Sequence, residues 1–196
     1  MISITAFGIQ GELELRRNKC KTNEIILTTG IHGLSKLGFM MLNKINFDNE
    51  ISLNETLIIK SIEHFCRPKI YPNFLNNLLK TRPNKKIKKI GCTDSSDGLF
   101  QAIQDLAIAS NCKAIINYDK IPKEKYWPKG HKWDTYYFFG GEDYELVFSL
   151  PKKWAKSLSK LDGNIKAIGF FTNGEPSVEF TDNKKNKLLK NKPFKH

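Results

Sequence analysis

The sequence predicts an α+β fold, in which a mixed β-sheet packs against helices as an α/β sandwich. Apolar runs typical of buried strands occur among stretches whose apolar residues recur every three to four positions, as in amphipathic helices. Strand and helix do not alternate strictly, which argues against a doubly wound parallel sheet. No internal repeat or linker interrupts the 196 residues, so we expect one main domain.

The individual elements follow from these patterns. Strands are predicted where apolar runs end in turn residues, at 3–7, 25–29, 90–93, 113–118, 144–148, 165–170 and 177–180. Helices are predicted where an apolar stripe has helical spacing, at 33–44, 55–65, 70–80, 99–110 and from Pro151 onward. The stretch 90–118 is expected to form a β-α-β unit, and the turn 172–175 to join the last two strands as a hairpin. Residues 121–133, rich in proline and lysine, predict a loop.

The composition limits the classes of function. The net charge of +12 suggests nucleic-acid binding, but only four of the 32 basic residues are arginine, the residue that phosphate-reading surfaces favour. Lysine runs such as 85–89 are usually solvent-exposed, so we consider nucleic-acid binding unlikely. The four cysteines are far apart, and the N-terminus does not resemble a signal peptide. No apolar run is long enough to span a membrane, so a cytoplasmic protein with reduced thiols is expected.

A polar turn at the end of one predicted strand is the first candidate site. Asp94, Ser96 and Asp97 lie between the strand at 90–93 and the helix that begins at Leu99. Serine or aspartate at such a position is often only a helix cap, but a cap does not account for Asp94. Carboxylates from a strand end and a helix start bind a hard divalent cation, and nearby hydroxyls and amides suit a phosphate. The turn therefore predicts a metal-phosphate site.

Two glycine-containing junctions are further candidates. Gly30 to Gly33 joins a strand to a helix and could approach a phosphate, although a simple tight turn is the favoured interpretation. Gly140-Gly141 leads through Glu142 and Asp143 into the strand 144–148. Because glycine lets the backbone bend sharply, both acids are expected at the mouth of that strand.

Two of these segments resemble thiamine-monophosphate kinases, which belong to the aminoimidazole-ribonucleotide synthetase superfamily. The specific string is Gly-Gly-Glu-Asp-Tyr-Glu-Leu at 140–146, supported by Asp-x-Ser-Asp-Gly-Leu at 94–99. Weaker likenesses at 2–8, 17–24, 28–42 and 67–68 extend the resemblance over nearly the whole chain. The fold that it implies is that of the superfamily's C-terminal domain, and the activity is phosphoryl transfer from ATP to thiamine monophosphate with Mg²⁺.

The resemblance also implies roles for individual residues. Asp94 and Asp97 match magnesium-binding carboxylates, Ser96 and Arg17 match nucleotide contacts, and Glu142 matches a substrate contact. Phe194, near the basic C-terminus, matches an aromatic substrate contact. No protein nucleophile is expected, because a terminal phosphate of the substrate can itself attack the γ-phosphate of ATP.

Family members carry an N-terminal ATP-binding domain that supplies most of the magnesium and nucleotide contacts and most of the dimer interface. The resemblance therefore implies that residues 1–8 are the last strand of that domain, and that 9–196 form the C-terminal domain of a homodimer. The chain alone is expected to be an incomplete or inactive kinase. Alternatives are a basic nucleic-acid-binding module and a non-catalytic partner that keeps a vestigial cleft.

Overall fold

The computed structural model describes residues 3–5, 7–9, 11–45, 53–69, 71–182 and 186. Within these ranges the strands are β1 (Glu14–Arg16), β2 (Ile25–Thr28), β3 (Lys89–Asp94), β4 (Lys113–Ile116), β5 (Leu146–Leu150), β6 (Lys166–Thr172) and β7 (Ser177–Phe180). The helices are α1 (Leu34–Leu42), α2 (Glu55–Cys66), α3 (Phe74–Thr81), α4 (Leu99–Ala109), α5 (His131–Phe139) and α6 (Lys152–Leu161). None of the described helices is long and apolar enough to cross a membrane.

The seven strands form one mixed sheet in the order β1-β3-β5-β2-β6-β4-β7. The two edge pairs, β1 with β3 and β4 with β7, are parallel, and the four inner pairs are antiparallel. The predicted α+β class with a mixed sheet is therefore confirmed. The strand pair that positions the candidate site is β3 with β5, in which Asp94 lies opposite Leu146.

Helices cover both faces of the sheet, as the predicted sandwich requires. Helices α1, α2, α4 and α5 bury their apolar side chains on one face, together with Ile26 and Val147 of the central strands. Helices α3 and α6 cover the other face, where Leu27 and Phe148 are fully buried. Neighbouring residues of one strand thus enter opposite layers, as the two-residue period of a strand dictates.

The predicted hairpin between the last two strands is wrong. Strand β7 pairs with β4 in parallel, and β4 lies between β7 and β6. Both edges of β6 are already occupied, by β2 and β4, so no edge remains for β7. The position beyond β4 also buries Phe180 against Tyr118 and Phe138. The strands of the predicted β-α-β unit, β3 and β4, run parallel but are not neighbours in the sheet.

Three local predictions also differ from the structure. Residues 3–5 and 7–9 form no strand, and Ile4 and Phe7 are about nine-tenths exposed, because a strand needs a neighbour with which to share hydrogen bonds. Edge strand β1 falls in a polar stretch where none was predicted. Helix α5 begins inside the predicted loop. It is not predicted from the sequence because its aromatic residues do not recur at helical spacing.

Helix α1 contacts α2 closely enough that one glycine is obligatory. A Cβ added to Gly38 would lie 2.1 Å from the Ser61 carbonyl oxygen, an atom fixed in the backbone of α2. We expect Gly38→Ala to lower the free energy of unfolding by about 1–3 kcal/mol through overpacking, despite the better helix propensity of alanine. Urea unfolding followed by circular dichroism measures the change. Gly163→Ala is the matched control because nothing lies within 4 Å of its added Cβ; equal stability of the two variants would contradict the close α1–α2 packing.

Candidate functional site

The polar turn between β3 and α4 is anchored by Ser95. The Ser95 N–H donates to the Glu145 carbonyl oxygen at 2.8 Å, and the Ser95 hydroxyl accepts from the Glu145 N–H at 3.1 Å. Gly98 then starts α4 with φ +95°, a backbone conformation that side chains rarely adopt. Ser95 is fully buried, and no sequence pattern indicates that its hydroxyl, rather than that of Ser96, stabilises the turn.

The glycine turn before β5 packs directly onto this first turn. The Glu142 N–H donates to the Ser96 carbonyl oxygen at 2.8 Å. A Cβ on Gly141 would lie 2.4 Å from that same oxygen, and one on Gly98 would lie 2.9 Å from the Gly140 carbonyl oxygen. The two glycines thus permit a contact that side chains would prevent. Residues 94–98 and 140–144 thus form two turns in direct contact, the paired turns.

Four of the predicted site residues lie on the paired turns, and Arg17 lies beside them. Arg17 Nε donates to the Thr93 hydroxyl at 3.0 Å, and Arg17 Nη2 lies 4.0 Å from Asp94 Oδ1. The Arg17 and Asp94 side chains are 61% and 41% exposed, so both remain open to a ligand. Asp97 is exposed, whereas Ser96 and Glu142 are half-buried. The structure therefore gathers Arg17 with the four residues of the turns, and Phe194 lies outside the described residues.

Tyr144 is a member of this group that sequence reasoning did not single out as a site residue. Its hydroxyl donates to Glu142 Oε2 at 2.8 Å. That hydrogen bond raises the pKa of the Tyr144 phenol, as do partial burial and the negative charges of Glu142, Asp94 and Asp97. The signal available in the sequence was its position in the Gly-Gly-Glu-Asp-Tyr-Glu-Leu string.

The donor set of the turns suits magnesium held together with phosphate. No group of three His, Cys, Asp or Glu side chains in the described part of the chain could hold a metal by itself. Mg²⁺, however, commonly uses only one or two carboxylates and takes its other ligands from water and substrate phosphates. Asp94 and Asp97 offer hard oxygen donors accessible to solvent, so the residues present fit a Mg²⁺ ion that arrives with a nucleotide.

The second acid of the glycine turn does not lie at the strand's mouth, contrary to expectation. Asp143 is 1% exposed and points into the protein, where it accepts hydrogen bonds from the N–H groups of Gly33 at 2.6 Å and Ser35 at 3.0 Å. It therefore occupies the start of α1, which favours negative charge. The Gly30 to Gly33 junction is accordingly a tight turn with its helix N-terminus already filled by Asp143.

Burial also changes the ionisation of the inward-facing acids. It raises the pKa of Asp143 to about 7, although the hydrogen bonds from Gly33 and Ser35 act in the opposite direction. Burial likewise raises the pKa of Glu145, which accepts from the Thr29 hydroxyl at 2.5 Å and the Tyr71 hydroxyl at 3.0 Å. Asp143 and Glu145 therefore stabilise the paired turns from the protein interior and do not reach the solvent-accessible surface that the turns form.

The fold and the paired turns define the class of protein that the chain resembles. The mixed sheet with helices on both faces agrees with an aminoimidazole-ribonucleotide synthetase-like fold. Within that class the similarity is to thiamine-monophosphate kinases, and it extends over the whole chain. No protein-family model matches the sequence.

Three relatives illustrate this similarity. Thiamine-monophosphate kinase of Prochlorococcus marinus is 34% identical over 195 residues, which cover 100% of this chain and 59% of that protein. The crystal structure of thiamine monophosphate kinase from Aquifex aeolicus matches with a TM-score of 0.65 and 22% identity, over 85% of this chain and 52% of that one. A structure of AaThiL complexed with AMPPCP and TMP matches with a TM-score of 0.62 and 25% identity, over 84% and 49%. The chain spans about 59% of the length of the curated relatives it matches.

The buried carboxyl of Asp143 predicts a specific dependence of stability on pH. The pKa of Asp143 is about 7 in the folded protein and 3.8 ordinarily. The contribution of its neutral carboxyl to the unfolding free energy is therefore fully present below pH 4 and is lost as the pH rises to 7. Asp143→Asn removes this loss, because asparagine stays neutral. We expect the unfolding free energy of the wild type to fall relative to the variant by on the order of 3 kcal/mol between pH 5 and 8.

Urea unfolding of both proteins at each pH measures this difference. Asp119→Asn, a surface substitution, is the matched control and should keep a constant offset from the wild type. An equally constant offset for Asp143→Asn would show that this carboxyl does not titrate near neutrality.

Proposed function

We propose that the protein takes part in the ATP-dependent phosphorylation of thiamine monophosphate to thiamine diphosphate. The observation that carries this proposal is the contact of the paired turns, which brings Asp94, Asp97 and Glu142 to one solvent-accessible surface. The similarity of the whole chain to thiamine-monophosphate kinases supports it, as does the relative complexed with AMPPCP and TMP. ATP and thiamine monophosphate are accordingly the proposed small-molecule partners.

The nucleotide is proposed to bind at the first of the paired turns. Asp94 and Asp97 would hold Mg²⁺, which neutralises charge on the phosphates of ATP. Ser96 and Arg17 would contact those phosphates, and the guanidinium of Arg17 can give two parallel hydrogen bonds to phosphate oxygens. Arg17 forms only a long ion pair with Asp94, at 4.0 Å, and its side chain is 61% exposed, so the guanidinium remains accessible to an anion.

The second turn is proposed to face the thiamine part of the substrate. Glu142 carries a carboxylate suited to the cationic ring, and its bond from the Tyr144 hydroxyl fixes its orientation. Phe194 is proposed as a further contact to that ring. A phosphate oxygen of thiamine monophosphate would attack the γ-phosphorus of ATP, forming one P–O bond as the bond to ADP breaks. The chain's residues would align the two phosphates, and none of them would act as a nucleophile.

Turnover is proposed to need more than this chain. We propose that residues 9–196 act as the C-terminal domain of the kinase and that residues 1–8 belong with an N-terminal ATP-binding domain. The 59% coverage of the curated relatives supports this division. A homodimer is proposed as the active assembly. The cytoplasm is proposed as its location, because the buried Cys20, Cys92 and Cys112 are free thiols.

Thiamine diphosphate formation tests the proposed reaction. The chain is assayed with ATP, Mg²⁺ and thiamine monophosphate, alone and after addition of the N-terminal region of the Prochlorococcus marinus relative. We expect product only in the mixture. Product from the chain alone would refute the proposed need for a second region, and no product in either assay would contradict the proposed reaction.

Substitutions at the paired turns separate the proposed roles. In the active mixture, Asp94→Asn and Asp97→Asn should each lower kcat by roughly 100-fold and raise the Mg²⁺ concentration needed for half-maximal rate. Glu142→Gln should instead raise the KM for thiamine monophosphate by about 10-fold, since it loses one charge-assisted contact. A coupled assay of ADP release measures these constants.

The exposed Glu175→Gln is the matched control and should leave all of these constants unchanged. An unchanged Mg²⁺ requirement in both aspartate variants would rule out their proposed role as metal ligands.

A further inference from the structure

A separate cavity of about 370 Å³ lies behind the paired turns, and it is not accounted for by the proposed reaction. It opens between the β2–α1 junction, one side of α2 and the segment that follows α2. Its lining combines apolar surface with charged side chains and includes Gly30, Ile31, Lys60, Arg67, Lys69, Tyr71 and Glu145. None of Arg17, Asp94, Asp97 and Glu142 lines it. Its volume falls within the range typical of small-molecule sites.

The floor of this cavity is a buried carboxyl held in one orientation. Glu145 is 1% exposed, and its two oxygens accept from the Thr29 and Tyr71 hydroxyls. A Cβ on Gly30 would lie 1.9 Å from Glu145 Oε1, so only glycine leaves room for the carboxyl. A floor of this kind disfavours a second anion and favours a hydrogen-bond donor.

The rim carries charges of both signs, since Glu63 and Glu124 line the cavity together with three basic side chains. Arg67 and Lys69 are both exposed, and neither side chain forms an ion pair within the ranges that the structure describes. Lys60, by contrast, is paired with Glu124 at 2.9 Å. Two cations two residues apart at a cavity mouth suit a dianionic group such as a phosphate monoester.

We propose that this cavity is a second ligand site, which binds a small phosphate monoester that carries an N–H donor at its other end. The phosphate lies at Arg67 and Lys69, and the N–H group points towards Tyr71 and Glu145. A packing defect would instead be lined by apolar side chains alone and would lack two cations without an ion-pair partner at its mouth. The site goes beyond the proposed kinase reaction and does not depend on it.

Amide NMR of the ¹⁵N-labelled chain during titration with thiamine monophosphate tests the proposal. This probe carries both a phosphate monoester and an amino group. Saturable shifts are expected at the amides of Gly30, Ile31 and Lys69. The double variant Arg67→Ala with Lys69→Ala should weaken this binding by roughly 10-fold or more, because it removes two charge-assisted contacts.

The matched control is Lys152→Ala with Lys156→Ala, which removes the same charge from the exposed side of α6 and should bind as the wild type does. Inorganic phosphate, which lacks the distal N–H group, should bind at least about 10-fold more weakly than thiamine monophosphate. Failure of Gly30 and Ile31 to shift, or equal weakening in both double variants, would overturn the proposal. Shifts at Ser96 and Gly141 that are sensitive to Glu142→Gln report on the proposed substrate site instead, so the two proposals can fail separately.

Discussion

The contact between the paired turns is the constraint on which the rest of the site depends. Pairing of β3 with β5 sets Asp94 opposite Leu146, and two backbone hydrogen bonds continue that pairing beyond the regular sheet, at Ser95 and at Ser96. Because Gly141 has no side chain, the second turn can reach the Ser96 carbonyl oxygen. The acids of two segments distant in sequence thereby share one surface.

The same few residues also connect the surface to the protein's interior. Glu142 faces outward, whereas Asp143 and Glu145 are buried. Positive φ angles at Glu142 and Tyr144 break the simple strand alternation that would otherwise set side-chain direction. Asp143 fixes the start of α1, and Glu145 fixes Tyr71 and Thr29. Burying these carboxyls is costly, and the hydrogen bonds that they accept offset part of that cost.

Local patterns predicted most of the helices and strands, because their apolar periods match the layers that the residues enter. The order of strands could not be predicted, since it depends on which sheet edges are free, as the position of β7 shows. Helix α5 could not be predicted either, because its buried aromatic side chains do not follow the three-to-four-residue spacing of an amphipathic helix. The group around Asp94 was anticipated from motifs, whereas the inward turn of Asp143 and the role of Ser95 depend on tertiary contacts that spacing does not encode.

The central claim is that the paired turns form one continuous site, in which a metal and a nucleotide bind at the first turn within reach of the second. The most direct measurement is the paramagnetic broadening of backbone amides when Mn²⁺ and AMPPCP are added to the ¹⁵N-labelled chain. The account predicts that amides of 94–98 and 140–144 broaden together, while those of the distant strand β7 remain sharp. Broadening confined to one of the two turns, or spread equally over the chain, would contradict it.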